Sequence, residues 1–335
     1  MIPGSPALRQ MPLWQTELAR AITDPAELLA VLNLGPDWLP AARTAARAFP
    51  LRVPRGYVAR MRPRDPGDPL LRQVLPLAEE CLPAEGFGPD PVGDLAAMAA
   101  PGVLHKYRGR VLLTATGACA VHCRFCFRRH FPYDQAVASA NRWRGALEHI
   151  AADDTITEVV LSGGDPLTLS DRRLCELAHV LQAIPHVRRL RVHTRLPIVL
   201  PERVDAELLE WLGGTRLQSV VVVHANHANE VDAGVRAALA RLKGVGVVLL
   251  NQSVLLRGVN DRVETLADLS EALFAAGVVP YYLHMLDRVA GAAHFEVAES
   301  RARALMSELS ARLPGYLVPR LVREVPGAPA KVPVP

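Results

Sequence analysis

Six runs rich in β-branched residues, at 111–117, 158–164, 189–195, 217–226, 245–256 and 278–286, limit the possible folds more than any other feature of the chain. Each is apolar over much of its length, as in the four valines at 220–223. Near-continuous apolar strands suit a parallel sheet covered on both faces. Helical stripes lie between the runs, one through Leu174, Leu177, Leu181 and Ile184 and another through Val231, Val235, Leu239 and Leu242. Asp261, followed three residues later by Glu264, predicts a capping box before a further helix. Six strand–helix units fall short of the eight that close a complete barrel. The expected fold is therefore α/β, an open, partial TIM-type β/α barrel of about six parallel strands, with a doubly wound sheet as the structural alternative.

The first hundred residues carry helical patterns instead, and Asp24-Pro25 is placed to start a helix through Leu28, Leu29 and Leu32. Proline-bearing stretches at 62–71 and 88–94 break this region into short pieces. The last stretch, 321–335, is too rich in proline for a helix and reads as an ordered or flexible tail. The organisation expected is a helical N-terminal extension over 1–100, the barrel over 101–312 and a C-terminal segment over 313–335. A chain of 335 residues, half of them hydrophobic, supports a sizeable core. Its formal charge of +4 is spread along the chain, which argues against a nucleic-acid partner. No apolar run approaches the roughly 20 residues of a membrane helix, and the first residues do not resemble a signal peptide, so no membrane partner and a cytoplasmic location are expected.

Five cysteines are present, and Cys119, Cys123 and Cys126 crowd into eight positions. That pattern suits metal ligation better than a disulfide framework. They follow the first run directly, so they fall on a loop at the C-terminal end of a strand, where β/α barrels build active sites. A cubane cluster has four irons, and three thiolates leave one iron open to a small molecule. The competing assignments are a zinc site completed by His122 or His130, or three unliganded thiols. Cys81 and Cys175 read as plain residues. Only three lysines occur, Lys106, Lys243 and Lys331, so any Schiff-base chemistry has three candidates. Lys243 reads as a helix C-terminal cation before Gly244, and Lys106 as preceding the first strand.

The C-x₃-C-x₂-C spacing resembles the motif of the radical S-adenosylmethionine superfamily, whose three cysteines hold a [4Fe–4S] cluster that binds S-adenosylmethionine at its open iron. Ser162-Gly163-Gly164-Asp165-Pro166, at the end of the next run, looks like that superfamily's second motif. The resemblance assigns Gly163, Gly164 and Asp165 to that cofactor, and His224 and Gln252, at strand ends, fall where they could touch it. A satisfied core polar group is the competing assignment for each of the last two. More specific segments, CRFCFRRHF at 123–131, LSGGDPL at 161–167, RLPIVLP at 195–201, HANHANE at 224–230 and NQSVLLRGVND at 251–261, resemble the lysine 2,3-aminomutase family. WQTELARAITDPAELLAVLNL, PLLRQVLP and HMLDRVAGAAHF extend this toward the branch that serves β-lysylation of elongation factor P.

That resemblance implies pyridoxal 5′-phosphate, joined covalently to Lys331, with Tyr107 and Arg110 stacking on it and holding its phosphate, and Lys106 standing where the better-known branch has arginine. An ammonium pairs with phosphate as a point charge, without the bidentate fork. Arg128 matches the arginine that clamps the substrate carboxylate, and Asp287 one of two acids that receive the lysine side-chain ammonium; Glu324 stands where the second is aspartate. Lys331 then has to fold inward, so the resemblance implies that the C-terminal segment, 313–335, folds over the barrel mouth. The implied reaction moves the amino nitrogen of L-lysine from the α- to the β-carbon, started by an electron from an external donor. Its product is passed to a separate ligase that modifies elongation factor P. A catabolic or stress-related aminomutase is the competing enzyme, and an iron–sulfur electron carrier or scaffold the competing class.

Overall fold

The computed structural model describes residues 11–136 and 143–335. Ten strands form one sheet in chain order: β1 (Met98–Ala100), β2 (Val103–Tyr107), β3 (Arg110–Thr116), β4 (Glu158–Gly163), β5 (Arg189–Thr194), β6 (Gln218–Val223), β7 (Val248–Val254), β8 (Val279–His284), β9 (Arg320–Arg323) and β10 (Val332–Pro333). From β3 to β9 every neighbouring pair is parallel, which makes seven parallel strands where about six are expected. The strand order never reverses, as it would in a doubly wound sheet. The result is a partial barrel with β1 and β10 as its open edges.

The burial pattern refines the sequence reading. On β5, Leu190, Val192 and Thr194 are buried while Arg191 and His193 are not, and on β7 Leu249, Asn251 and Ser253 are buried while Gln252 and Val254 are not. A period of two means that one face packs on helices and the other looks into a cavity. The outer face is covered by helices such as Asp171–Ala183, burying Leu174, Leu177 and Leu181, and Ala233–Gly244, burying Val235, Leu239 and Leu242. The helix Val263–Ala275 departs from expectation at its start. Asp261 makes no capping box; its Oδ1 accepts from the Gly258 N–H at 3.0 Å and braces a turn in which Gly258 has a φ of +73°.

Short helices at Leu13–Ala19, Pro25–Val31 and Leu39–Ala48 open the chain, and Asp24 caps the second by accepting from Ala26 N at 2.9 Å. Trp14, Leu28, Tyr57 and Leu70 share one apolar core with Val103, Val192 and Val221 of the barrel. Burial of each such side chain contributes roughly 2 kcal/mol, which welds the N-terminal helices to the sheet. At the other end, the proline-rich tail supplies β9 and then turns back as β10, with Val332 opposite Arg323 and Pro333 opposite Val322. Proline is tolerated there because β10 is an edge strand. Lys106 lies within β2, not ahead of the first strand. Among the described residues no helix is long and apolar enough to cross a membrane.

Candidate active site

The loop after β3 is held on two sides. Gly164 N donates to Thr116 O and Asp165 N to Ala118 O, both at 2.7 Å, while His122 N donates to Arg52 O and Arg124 N to Gln73 O, both at 2.9 Å. The loop thus hangs between the end of β4 and the N-terminal helical segment. Glycine is required at two positions by this approach: a Cβ on Gly163, whose φ is +123°, would lie 2.4 Å from Thr116 O, and one on Gly164 would lie 2.3 Å from Ala118 O. The glycines therefore make room for the cysteine loop itself.

Cys119, Cys123 and Cys126 are half-buried, and none forms a disulfide. Burial, followed by the neighbouring cysteine sulfurs, pushes the Cys126 thiol up to about 11 and the Cys119 thiol well above its ordinary value. Two of the three loop thiols are thus held protonated, and binding a metal is what would turn them into thiolates. The histidines of the zinc alternative each turn one ring nitrogen to a backbone carbonyl. His122 Nδ1 lies 2.9 Å from Pro50 O with its ring stacked on Phe49, and His130 Nε2 lies 3.1 Å from Ala290 O. Among the described residues, no three His, Cys, Asp or Glu side chains close around a single metal ion. A cubane spreads its thiolates over separate irons, and this donor set fits one.

Cys123 and Cys126 open onto a cavity of about 280 Å³ inside the partial barrel. Lys106, Tyr107, Arg110, Arg128, His224, Gln252, Asp287, Glu324 and Lys331 all line it. Gly163, Gly164 and Asp165 do not. Asp165 spends its carboxylate on the end of β5, accepting from Thr194 Oγ1 and Arg195 N at 2.7 Å, Leu167 N at 3.1 Å and Leu196 N at 3.2 Å. Burial pushes it up to about 6 against those bonds.

Charge in the cavity is arranged in two groups. In one, Lys331 Nζ donates to Glu324 Oε2 at 2.7 Å and the Tyr107 hydroxyl donates to Glu324 Oε1. Burial pushes Glu324 up, but the Lys331 ammonium and both hydrogen bonds outweigh it and hold the carboxyl below its ordinary value. The Arg110 guanidinium lies 4.5 Å from the centre of the Tyr107 ring. In the other group, Asp94, 2% exposed, accepts from Arg128 Nε and Lys106 Nζ, both at 2.6 Å. Burial opposes its ionisation, and those two cations overcome it. Arg128 also donates to Ser162 Oγ at 3.0 Å. Asp287 opens onto the cavity but lies deep among protein atoms. That desolvation pushes its carboxyl up to about 7, with Lys331 pulling down and Glu324 pushing further up.

Three histidines, His193 on β5, His224 just after β6 and His284 at the end of β8, each leave Nε2 buried without a protein partner. Burial first, then nearby cations, holds all three below the usual imidazole range, His224 at about 4. They are neutral hydrogen-bonding groups aimed into a cavity that accepts a polar ligand. Arg195 and His284 open segments that carry the family resemblance but were given no role there, and Asp94 and His193 were not singled out. A charged residue at the end of a barrel strand, as Arg195 is, was the one available signal.

A partial β/α barrel with a three-cysteine loop after its first parallel strand defines the radical S-adenosylmethionine class, and the family model described as "Radical SAM superfamily" matches residues 113–270. The chain is 52% identical over 322 residues to the L-lysine 2,3-aminomutase of Escherichia coli (strain K12), covering 96% of this chain and 94% of that one. It is 47% identical to the Haemophilus influenzae enzyme of the same name, covering 99% and 98%, and 33% identical to that of Clostridium subterminale, covering 96% and 77%. The chain belongs to the L-lysine 2,3-aminomutase family.

Proposed function

We propose that this protein is an isomerase that converts L-lysine to β-lysine, with a [4Fe–4S] cluster, S-adenosylmethionine and pyridoxal 5′-phosphate as cofactors. The observation that carries the reading is the meeting, in one cavity, of two of the three loop cysteines with the inward-folded Lys331, the cation Arg128 and the carboxyls Asp287 and Glu324. When bound, the cluster with S-adenosylmethionine supplies a carbon radical that removes hydrogen, and pyridoxal phosphate supplies delocalisation for the migrating nitrogen.

The chain's own residues bind and orient. Cys119, Cys123 and Cys126 hold the cluster, and Gln252 and His224 face S-adenosylmethionine, while Gly163, Gly164 and Asp165 act by shaping the cysteine loop and the strand ends behind it. Lys331 carries pyridoxal phosphate, Tyr107 and Arg110 flank it, and Lys106 pairs with its phosphate. Arg128 receives the lysine carboxylate with its planar fork, and Asp94 fixes the fork's orientation from behind. Asp287 receives the side-chain ammonium. Glu324, whose Oε2 accepts from Lys331 Nζ at 2.7 Å, lines the same cavity as Asp287 and would be the second acid for the substrate ammonium. Such placement at both ends of the substrate accounts for much of what a protein adds to radical chemistry.

We place the enzyme in the cytoplasm, drawing electrons from an external donor and supplying β-lysine to the ligase that modifies elongation factor P. Deleting the gene should then remove the β-lysyl mass from that factor. Persistence of the mass would favour the catabolic assignment. For the chemistry, protein reconstituted anaerobically with iron and sulfide should cleave S-adenosylmethionine when reduced, and Cys123→Ala should lose both cluster and cleavage. Cleavage that survives Cys123→Ala would overturn the assignment.

A further inference from the structure

Arg195, at the end of β5, is 6% exposed and divides its donors between two tasks. Nη1 points at Cys123 Sγ at 2.8 Å. Nη2 donates to Gln73 Oε1 at 2.5 Å, Glu230 Oε2 at 2.8 Å and Tyr57 Oη at 3.2 Å. The acceptors are themselves tied together. Glu230 Oε1 accepts from Asn226 N at 2.8 Å, His227 N at 3.1 Å and Gln73 Nε2 at 3.2 Å, and the Tyr57 hydroxyl donates to Oε2 at 3.3 Å. Tyr57, Gln73 and Glu230 are all fully buried. Tyr57 and Gln73 come from the N-terminal helical segment, which also brings Asp94 to the cavity.

A buried guanidinium is costly unless its partners are complete. Here three distant segments supply acceptors to Nη2 and Nη1 faces a cysteine sulfur, while Nε is buried without a protein partner. Hydrogen bonds to the sulfurs and local net charge are among the main determinants of a cluster's reduction potential. Reduction adds one electron to the cluster from an external low-potential donor, with no bond made or broken, so a fixed positive donor stabilises the reduced state more than the oxidised one.

We propose that Arg195 raises the reduction potential of the cluster through its hydrogen bond to Cys123, and that Tyr57, Gln73 and Glu230 are positioning residues that hold the guanidinium on that sulfur. This rests on the assignment of Cys119, Cys123 and Cys126 as cluster ligands. It gives the N-terminal segment a part in the redox chemistry.

The test is an anaerobic redox titration of reconstituted protein, followed by electron paramagnetic resonance of the reduced cluster, with iron content and thermal unfolding measured alongside. Tyr57→Phe and Gln73→Leu keep Arg195 and Glu230 and should load iron as the parent does. Their potentials should be more negative. Arg195→Gln combined with Glu230→Gln removes both buried charges together and should give the largest effect. At a poise where half the parent cluster is reduced, the ratio of reduced to oxidised cluster in the double variant should fall about tenfold, equal to about 59 mV for a one-electron couple. Potentials unchanged in folded, iron-loaded variants would overturn the proposal, and if the double variant does not fold, the two single variants decide. A parent protein that binds no iron would overturn the ligand assignment instead, and this inference with it.

Discussion

Asp287 shows how one residue can couple pH to both stability and substrate. Its carboxyl is raised from 3.8 to about 7 by burial, so without substrate the folded protein keeps it protonated where the unfolded chain has already ionised. The stability it contributes is complete below about pH 4 and is lost as pH rises toward 7, by up to about 4 kcal/mol. Asp287→Asn should therefore unfold at a higher urea concentration than the parent at pH 8 and at a similar one at pH 4. Binding runs the other way, because the substrate ammonium pairs with the ionised form. The KM for lysine should fall about tenfold between pH 6 and pH 8, and a flat profile would remove Asp287 from the binding site. Asp287 was reached only through the family resemblance, and so was Lys331, helped by there being three lysines to choose from; the cysteines alone were legible from their spacing. Asp94 was not legible. It sits in a proline-broken stretch, and its meaning comes only from being within 2.6 Å of cations supplied by β2 and the cysteine loop.

At the scale of elements, the cysteine loop is shaped by its neighbours more than by its own residues. Its backbone leans on Gly163 and Gly164, so Gly164→Ala should push Ala118 away and displace Cys119 from its partners. We expect iron content to fall several-fold while the far-ultraviolet circular dichroism stays that of the parent; full loading would show that the close contact is dispensable. All six expected strands are present, since β-branched runs of this length leave little choice. The seventh, β9, has only four residues, and β10 has two with a proline. Too short to show a period, these strands form because β8 offers an open edge and Leu321 and Val334 find an apolar cluster to enter. The capping box at Asp261 failed for a local reason, as the carboxylate does better bracing the Gly258 turn.

For the whole molecule, both ends of the chain close on the barrel and complete it. The N-terminal helices bury Tyr57 and Gln73 against Glu230 and Arg195, and the C-terminal hairpin carries Lys331 to the mouth, where Glu324 and Tyr107 receive it. The inward fold of the tail was expected only through the family resemblance and the N-terminal closure not at all, because each depends on groups far apart in sequence. Together they place the cysteine loop and Lys331 on one cavity, and the central claim is that Lys331 carries pyridoxal phosphate there. The direct measurement is anaerobic incubation of the reconstituted protein with L-lysine, S-adenosylmethionine, pyridoxal phosphate and a low-potential reductant, with β-lysine detected by mass spectrometry after chromatographic separation from α-lysine. The parent should form β-lysine and Lys331→Ala should form none above background. No product from the parent, or equal product from both, would contradict the account.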